Sequence, residues 1–176
     1  MTYAAGHPIR PIAGRLALDF LNTADWSADG EVLHEKIETH ADVAAWAKAL
    51  GLPDALIPEE MTELHIFRSA LRAALRDGDR MELSLGTVAV DASEAAVRSL
   101  PLSGLVAISA AALLADPREM ARLKTCPGVD CGWMFVDETK NGRRRWCSME
   151  TCGNRAKAAR HYARSRRKPK RDEASA

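Results

Sequence analysis

The chain has 176 residues, enough for one ordinary domain with a small satellite and too few for a multi-domain enzyme. Apolar residues at 47 % and charged residues at 28 % exclude a disordered chain, while an aromatic content of only 5 % favours closely packed helices over an aromatic-rich sandwich. The net charge of +1 conceals a division: residues 1–123 hold 11 Lys and Arg against 18 Asp and Glu, whereas residues 124–176 hold 14 against 6 together with all four cysteines.

In chain order, residues 1–14 carry Gly6, Pro8, Pro11 and Gly14 and read as an extended leader without a secretory apolar segment. Leu16, Leu18, Phe20 and Leu21 fit both strand alternation and helical spacing, so periodicity leaves this segment open. Residues 24–35 are turn-rich. Thr39 is placed to cap a helix with Asp42 in its first turn, Val43, Trp46, Ala47 and Leu50 as its apolar stripe and Gly51 at its end. A second helix is expected from Pro58, with Leu64, Phe67, Leu71 and Leu75 on one face until Asp77-Gly78. Residues 82–90 are a strand candidate, and Asp91 to Glu94 resembles the cap of a short helix. Leu105 to Ala115 suits a buried helix, and Asp116-Pro117-Arg118-Glu119 predicts another, with Asp116 as cap and Glu119 closing a capping box. Asp19, His34, His40 and His65 are the titratable residues of this body, but no nucleophile triad, phosphate loop or paired-histidine motif accompanies them. An enzyme is not expected.

The cysteines follow the pattern Cys126-x4-Cys131-x15-Cys147-x4-Cys152. Two close thiol pairs separated by a short insert suit a tetrahedral Zn²⁺ ion, each pair supplying one edge, and four thiolates leave no open position for catalysis. Structural disulfides and a redox or iron–sulfur role are the competing readings; the chain shows no export signal, and neither a C-x-x-C pair nor a ferredoxin spacing is present. Trp133 to Val136, the Asn141-Gly142 turn and Arg143 to Trp146 predict a hairpin between the two thiol pairs. Residues from Gly153 to Arg164 predict a helix. Hairpin then helix is the layout of a treble-clef-type module, too small to fold on apolar burial alone. The expected fold is therefore α+β: a mainly helical acidic body over 1–123, a four-cysteine zinc finger with a basic helix over 124–167, and a disordered tail over 168–176.

From Cys131-Gly132-Trp133-x-Phe135-x-Asp137 through Arg143-Arg144-Arg145-Trp146-Cys147-Ser148-Met149 to Cys152-Gly153-Asn154-Arg155-x-Lys157, the chain resembles the CGNR zinc-finger family of bacteria. Leu18-Asp19-Phe20-Leu21-Asn22-Thr23 is similar to the opening motif of the ABATE domain that usually precedes this finger. The resemblance implies a structural zinc on Cys126, Cys131, Cys147 and Cys152 and a stress-responsive transcription regulator.

The residues themselves support a polyanionic partner. Lys140 to Arg171 hold 13 basic residues and one acidic one, Glu150, far beyond what four thiolates around one ion require. Arg143, Arg144 and Arg145 add charge at the predicted hairpin, and Lys157, Arg160, Arg164 and Arg167 form one stripe of the predicted helix. Asn154 and Arg155 are candidates for reading base edges, and equally suited to capping the helix or pairing within the finger. DNA is the expected partner, with a zinc-stabilised protein-interaction module or an RNA binder as the alternative. The body is expected to sense a small ligand or a stress signal, to form a homodimer, or to cover the basic face until a signal arrives. With no apolar run near the roughly 20 residues of a membrane span, a cytoplasmic location is expected.

Overall fold

A computed structural model describes residues 11–52, 59–77 and 100–167. The candidate strand at 82–90, the cap at 91–94, the helix start at Pro58 and the tail from residue 168 lie outside the described residues. The elements run α1 (Leu16–Leu21), β1 (Ala24–Trp26), β2 (Val32–Glu35), α2 (His40–Ala49), α3 (Met61–Asp77), α4 (Leu102–Ala115), α5 (Pro117–Met120), β3 (Leu123–Thr125), β4 (Met134–Val136) and α6 (Asn154–Arg167), the last entered through a π-helical turn, Met149–Gly153.

The open segment at Leu16 to Leu21 is a helix at the centre of the molecule. Ala17, Leu18, Asp19, Phe20 and Leu21 are all buried, so it presents neither an alternating nor a one-sided pattern. Its N-terminus has no cap of its own; the Ala17 N–H donates instead to Ser109 Oγ of α4 at 3.1 Å. Phe20 packs on Trp46 of α2 and Phe67 of α3, at ring-centroid distances of 5.9 and 6.0 Å.

Residues 24–35, which read as turns, fold into an antiparallel hairpin, β1 with β2, whose register slips between Asp25 and Trp26. The slip frees the Trp26 N–H to donate to the Cys131 carbonyl at 3.1 Å, so β1 is bonded to β2 on one side and to the cysteine region on the other. Thr39 caps α2 as expected, in a reciprocal box with Asp42. On α3, Leu64, Leu71 and Leu75 are buried and Phe67 packs against the core. The same helix buries Arg68 and Arg72, which lie 5.7 and 4.5 Å from the Trp26 ring. Arg68 donates to Glu35 and Thr23, each at 2.8 Å. Asp116 caps α5, but Glu119 does not close the box: its carboxylate is taken by Arg15 (Nε to Oε2, 2.9 Å).

The hairpin expected between the two thiol pairs is not there. β4 pairs with β3, Leu123 opposite Val136 and Thr125 opposite Met134, which places Cys126 and Cys131 in the turn between these strands. Residues 143–146 form no strand because Asp137, directly after β4, gathers the following loop onto itself. Its carboxylate accepts from the Thr139 N–H and hydroxyl, the Arg144 N–H and the Lys124 ammonium. Burial opposes ionisation of Asp137, but hydrogen bonds from Lys124 and Thr139 outweigh it and hold the carboxyl well below the usual range.

Charge changes sign at residue 123; packing does not. Asn22 exchanges two hydrogen bonds with the Met134 backbone, and the Trp133 indole donates to Asp25 at 2.9 Å. One buried cluster runs from Ala13 through Phe20 and Leu71 to Phe135 and all four cysteines.

Candidate metal centre and nucleic-acid interface

The first thiol pair sits on a knuckle. The Cys126 N–H donates to the Trp133 carbonyl at 2.7 Å, and the chain then reverses through Asp130 and Gly132, with φ of 52° and 57°. A side chain on Gly132 would meet the Trp26 carbonyl oxygen at 2.7 Å, so glycine is what lets the knuckle seat against β1. A side chain on Gly128 would lie 2.7 Å from the Cys152 sulfur; its absence opens room for the second pair. That pair comes from the turn leading into α6. Ser148 receives the Glu150 N–H at 3.2 Å, and the Gly153 N–H closes on the Ser148 carbonyl at 3.0 Å, which swings Cys152 towards the knuckle.

All four sulfurs are buried and lie within 4.8 Å of one another, and Cys131–Cys147 and Cys147–Cys152 are each separated by 3.6 Å. A disulfide requires about 2 Å. The thiols are free, and the disulfide reading is overturned. A tetrahedron with metal–sulfur bonds of about 2.3 Å has edges of about 3.8 Å, close to these spacings. Left to themselves the thiols cannot all ionise. Hydrogen bonds from Cys131 and its neighbours hold Cys126 low, and Cys126 in turn pushes Cys131 and Cys147 far up, so a cation is needed to hold four thiolates together. The cluster is built to hold a metal.

Two of the expected nucleic-acid contacts point elsewhere. Arg144 is half-buried over the Phe135 ring at 4.3 Å and donates to the carbonyls of Cys147, Trp146 and Ile12 at 2.5, 3.2 and 3.1 Å. Arg155 donates to the Val129 carbonyl in the knuckle at 3.3 Å. Both guanidiniums satisfy backbone carbonyls of the cysteine-bearing turns, and Arg144 that of Ile12 besides. Asn154 Nδ2 donates back to the Glu150 carbonyl at 3.3 Å, while the residue itself stays exposed. Arg143 and Arg145 are exposed, Arg145 lying 5.1 Å from the Trp146 ring. Together with Lys124, Thr125 and Pro127 they line an open cavity of about 320 Å³, a feature that depends on the folded loop and had no sequence signal.

Lys157, Arg160 and Arg164 are exposed on α6, and Arg167 is its last residue. Every residue from Lys157 to Arg166 is exposed, and among the described residues nothing of the body covers this stretch. The titratable residues of the body serve the fold. Asp19 receives the Ala13 N–H, His40 bonds the Glu59 carbonyl at 2.9 Å, His65 bonds the Ile37 carbonyl at 2.9 Å, and His34 lies 3.7 Å from Asp25.

With this geometry in place, the family models agree with it. The CGNR zinc finger model matches residues 122–165, covering every cysteine, and the ABATE model, described as "Putative stress-induced transcription regulator", matches residues 14–117. The chain belongs to the ABATE family and carries a CGNR zinc finger. No curated protein shows significant similarity to it. The ABATE opening motif now has a physical reading: Asp19 holds the Ala13 N–H, Asn22 holds Met134, and Thr23 links the Phe20 carbonyl to Arg68. Among the described residues no helix is long and apolar enough to cross a membrane.

Proposed function

We propose that this chain is a DNA-binding transcription regulator rather than an enzyme. In this reading one Zn²⁺ bound by Cys126, Cys131, Cys147 and Cys152 acts as a structural cross-link, with no coordination position left for substrate. The observation that carries it is α6, anchored through its first turn to the cysteine knuckle and exposed from Lys157 to Arg166 with no acidic residue along it. Such a helix is polar all round, and its cations at spacings of three and four residues repel one another. A polyanion relieves that repulsion. Arg143 and Arg145 beside the cavity extend the positive surface, whereas Arg144 and Arg155 belong to the finger's own structure.

The body is the proposed sensor of a ligand or stress signal. Its β1 strand is hydrogen-bonded directly to Cys131, so a shift in the body reaches the metal centre. A single finger of this size gives modest affinity, and a homodimer completes the reading.

The test is binding of the zinc-loaded full chain to duplex DNA over a range of salt. The expected result is a linear fall of log affinity with log salt, and Lys157→Ala/Arg160→Ala/Arg164→Ala lowers the slope by about 0.9 for each phosphate no longer neutralised. No binding at low salt, or a slope unmoved by the triple variant, rejects the reading. Retention of an acidic protein or of RNA in place of duplex DNA establishes the alternative.

A further inference from the structure

Among the described side chains of α6, Arg155 and Ala156 are half-buried and the rest exposed, and the Arg155 guanidinium reaches the knuckle carbonyl of Val129. That contact sets which side of the helix faces the finger, and therefore which side faces away. At about 100° per residue, His161 and Ser165 project within about 20° of Asn154, with the small Ala158 about 40° away. On one flank of this line stand Lys157, Arg164 and Arg160; on the other stand Tyr162, 70 % exposed, and Arg166, which shares the side of Arg155 but lies about three turns further along, where the helix is exposed all round. The line is uncharged and able to hydrogen-bond, runs about 16 Å along the helix, and is bordered by cations on both sides.

The chemistry of each group suits recognition. Asn154 spends its amide N–H on Glu150, which leaves its oxygen as an acceptor and its second N–H as a donor. Ser165 donates to the carbonyls of His161 and Tyr162 at 3.1 and 3.0 Å, which leaves its oxygen free to accept. His161 is exposed and rests edge-on against Tyr162, with centroids 6.3 Å apart. The partner that matches a hydrogen-bonding strip between two cationic borders is the DNA major groove, about 12 Å wide, with anionic walls and a floor of base donors and acceptors. The deep, narrow major groove of A-form RNA does not admit such a helix.

We propose that Asn154, His161 and Ser165 form the base-reading face of α6, with Lys157, Arg160 and Arg164 on one phosphate wall and Arg166 on the other. This rests on the DNA-binding reading above and deepens it: specificity lies on the outward face, not at Arg155. The experiment is selection of bound sequences from a random duplex library by the zinc-loaded full chain, followed by affinity measurements on selected and scrambled duplexes. His161→Ala/Ser165→Ala is expected to keep zinc content, far-UV circular dichroism and affinity for scrambled DNA, while losing roughly tenfold or more of the preference for the selected sequence. Arg166→Ala is expected to weaken both duplexes equally. A sequence preference unchanged in the double variant, no sequence enriched by the wild-type chain, or double-stranded RNA competing as well as DNA each overturns the base-reading face while leaving polyanion binding in place. Failure of the wild-type chain to bind any duplex at low salt rejects the underlying reading instead.

Discussion

The side chain of Asn22 behaves as an extra strand residue against Met134: its Nδ2 donates to the Met134 carbonyl and its Oδ1 accepts the Met134 N–H, both at 2.9 Å. A helix end in the acidic body thus satisfies both backbone groups of a buried β4 residue in the finger. The pair belongs to a junction that also includes Trp133 with Asp25 and Trp26 with Cys131.

Replacing Asn22 by Ala leaves the Met134 N–H and carbonyl without partners in a buried position. Each such orphan costs about 1–3 kcal/mol, so Asn22→Ala is expected to lose about 2–6 kcal/mol in denaturant unfolding of the zinc-loaded protein. Asn141→Ala, at an exposed turn, should lose less than about 0.5 kcal/mol. Equal losses from the two variants would show that the reciprocal pair contributes nothing.

Gly132 is the second point of this junction, with φ of 57° and the Trp26 carbonyl where a methyl group would sit. Gly132→Ala is expected to cost at least about 1–3 kcal/mol from the left-handed backbone alone, and to weaken metal retention because Cys131 is the preceding residue. Competition with a chromophoric chelator measures the second effect. Metal affinity unchanged from wild type would detach the knuckle from β1.

Because the core is continuous across residue 123, removing the metal should destabilise more than the finger. Chelation of the full chain is expected to give one cooperative loss of structure, read together by far-UV circular dichroism and by the fluorescence of Trp26 and Trp133, which lie on opposite sides of the junction. Cys147→Ser should unfold at the same chelator-independent midpoint as the metal-stripped wild type. Two separate transitions, with the body intact after the finger unfolds, would contradict the shared core.

Asp19 is 3 % exposed, and burial raises its carboxyl from the ordinary range to about 6, against the opposing hydrogen bonds from Ala13, Ile12 and Gly14. Because the folded-state pKa is the raised one, the protonated form favours folding. That contribution is complete below about pH 4 and is lost as pH rises through about 6. A shift of this size corresponds to up to about 3 kcal/mol. Asp19→Asn keeps an acceptor for the Ala13 N–H and removes this titration, so its stability relative to the wild type at the same pH should rise between pH 4 and 7, the pH dependence of metal binding being common to both. A difference that stays constant with pH would place the pH dependence elsewhere.

Much of this protein could be read before any coordinates. The four cysteines declare a metal site because two thiol pairs, each at short spacing, offer the four soft ligands that a tetrahedral ion takes. Thr39 with Asp42, and Asp116 before Pro117, announce helix starts because a cap is a contact between residues three apart or fewer, and such local chemistry survives in the linear order. The charge division at residue 123 was equally plain.

Apart from the meeting of the two thiol pairs, what escaped the sequence was the contacts made across distance. α1 is capped by Ser109, and the Ser103 N–H near the start of α4 is received by Glu59; neither partner lies near the helix it serves. The hairpin pairs β4 with β3 rather than with 143–146, because Asp137 binds the loop that would have formed the other strand. Arg144 and Arg155 look like DNA contacts in a basic run, yet turn inward to carbonyls that exist only once the metal-binding turns have formed. Residue order specifies local hydrogen bonds and ligand chemistry directly. Which face of the last helix looks outward depended on where Arg155 found its partner, 26 residues back in the chain, and only folding brings those two together.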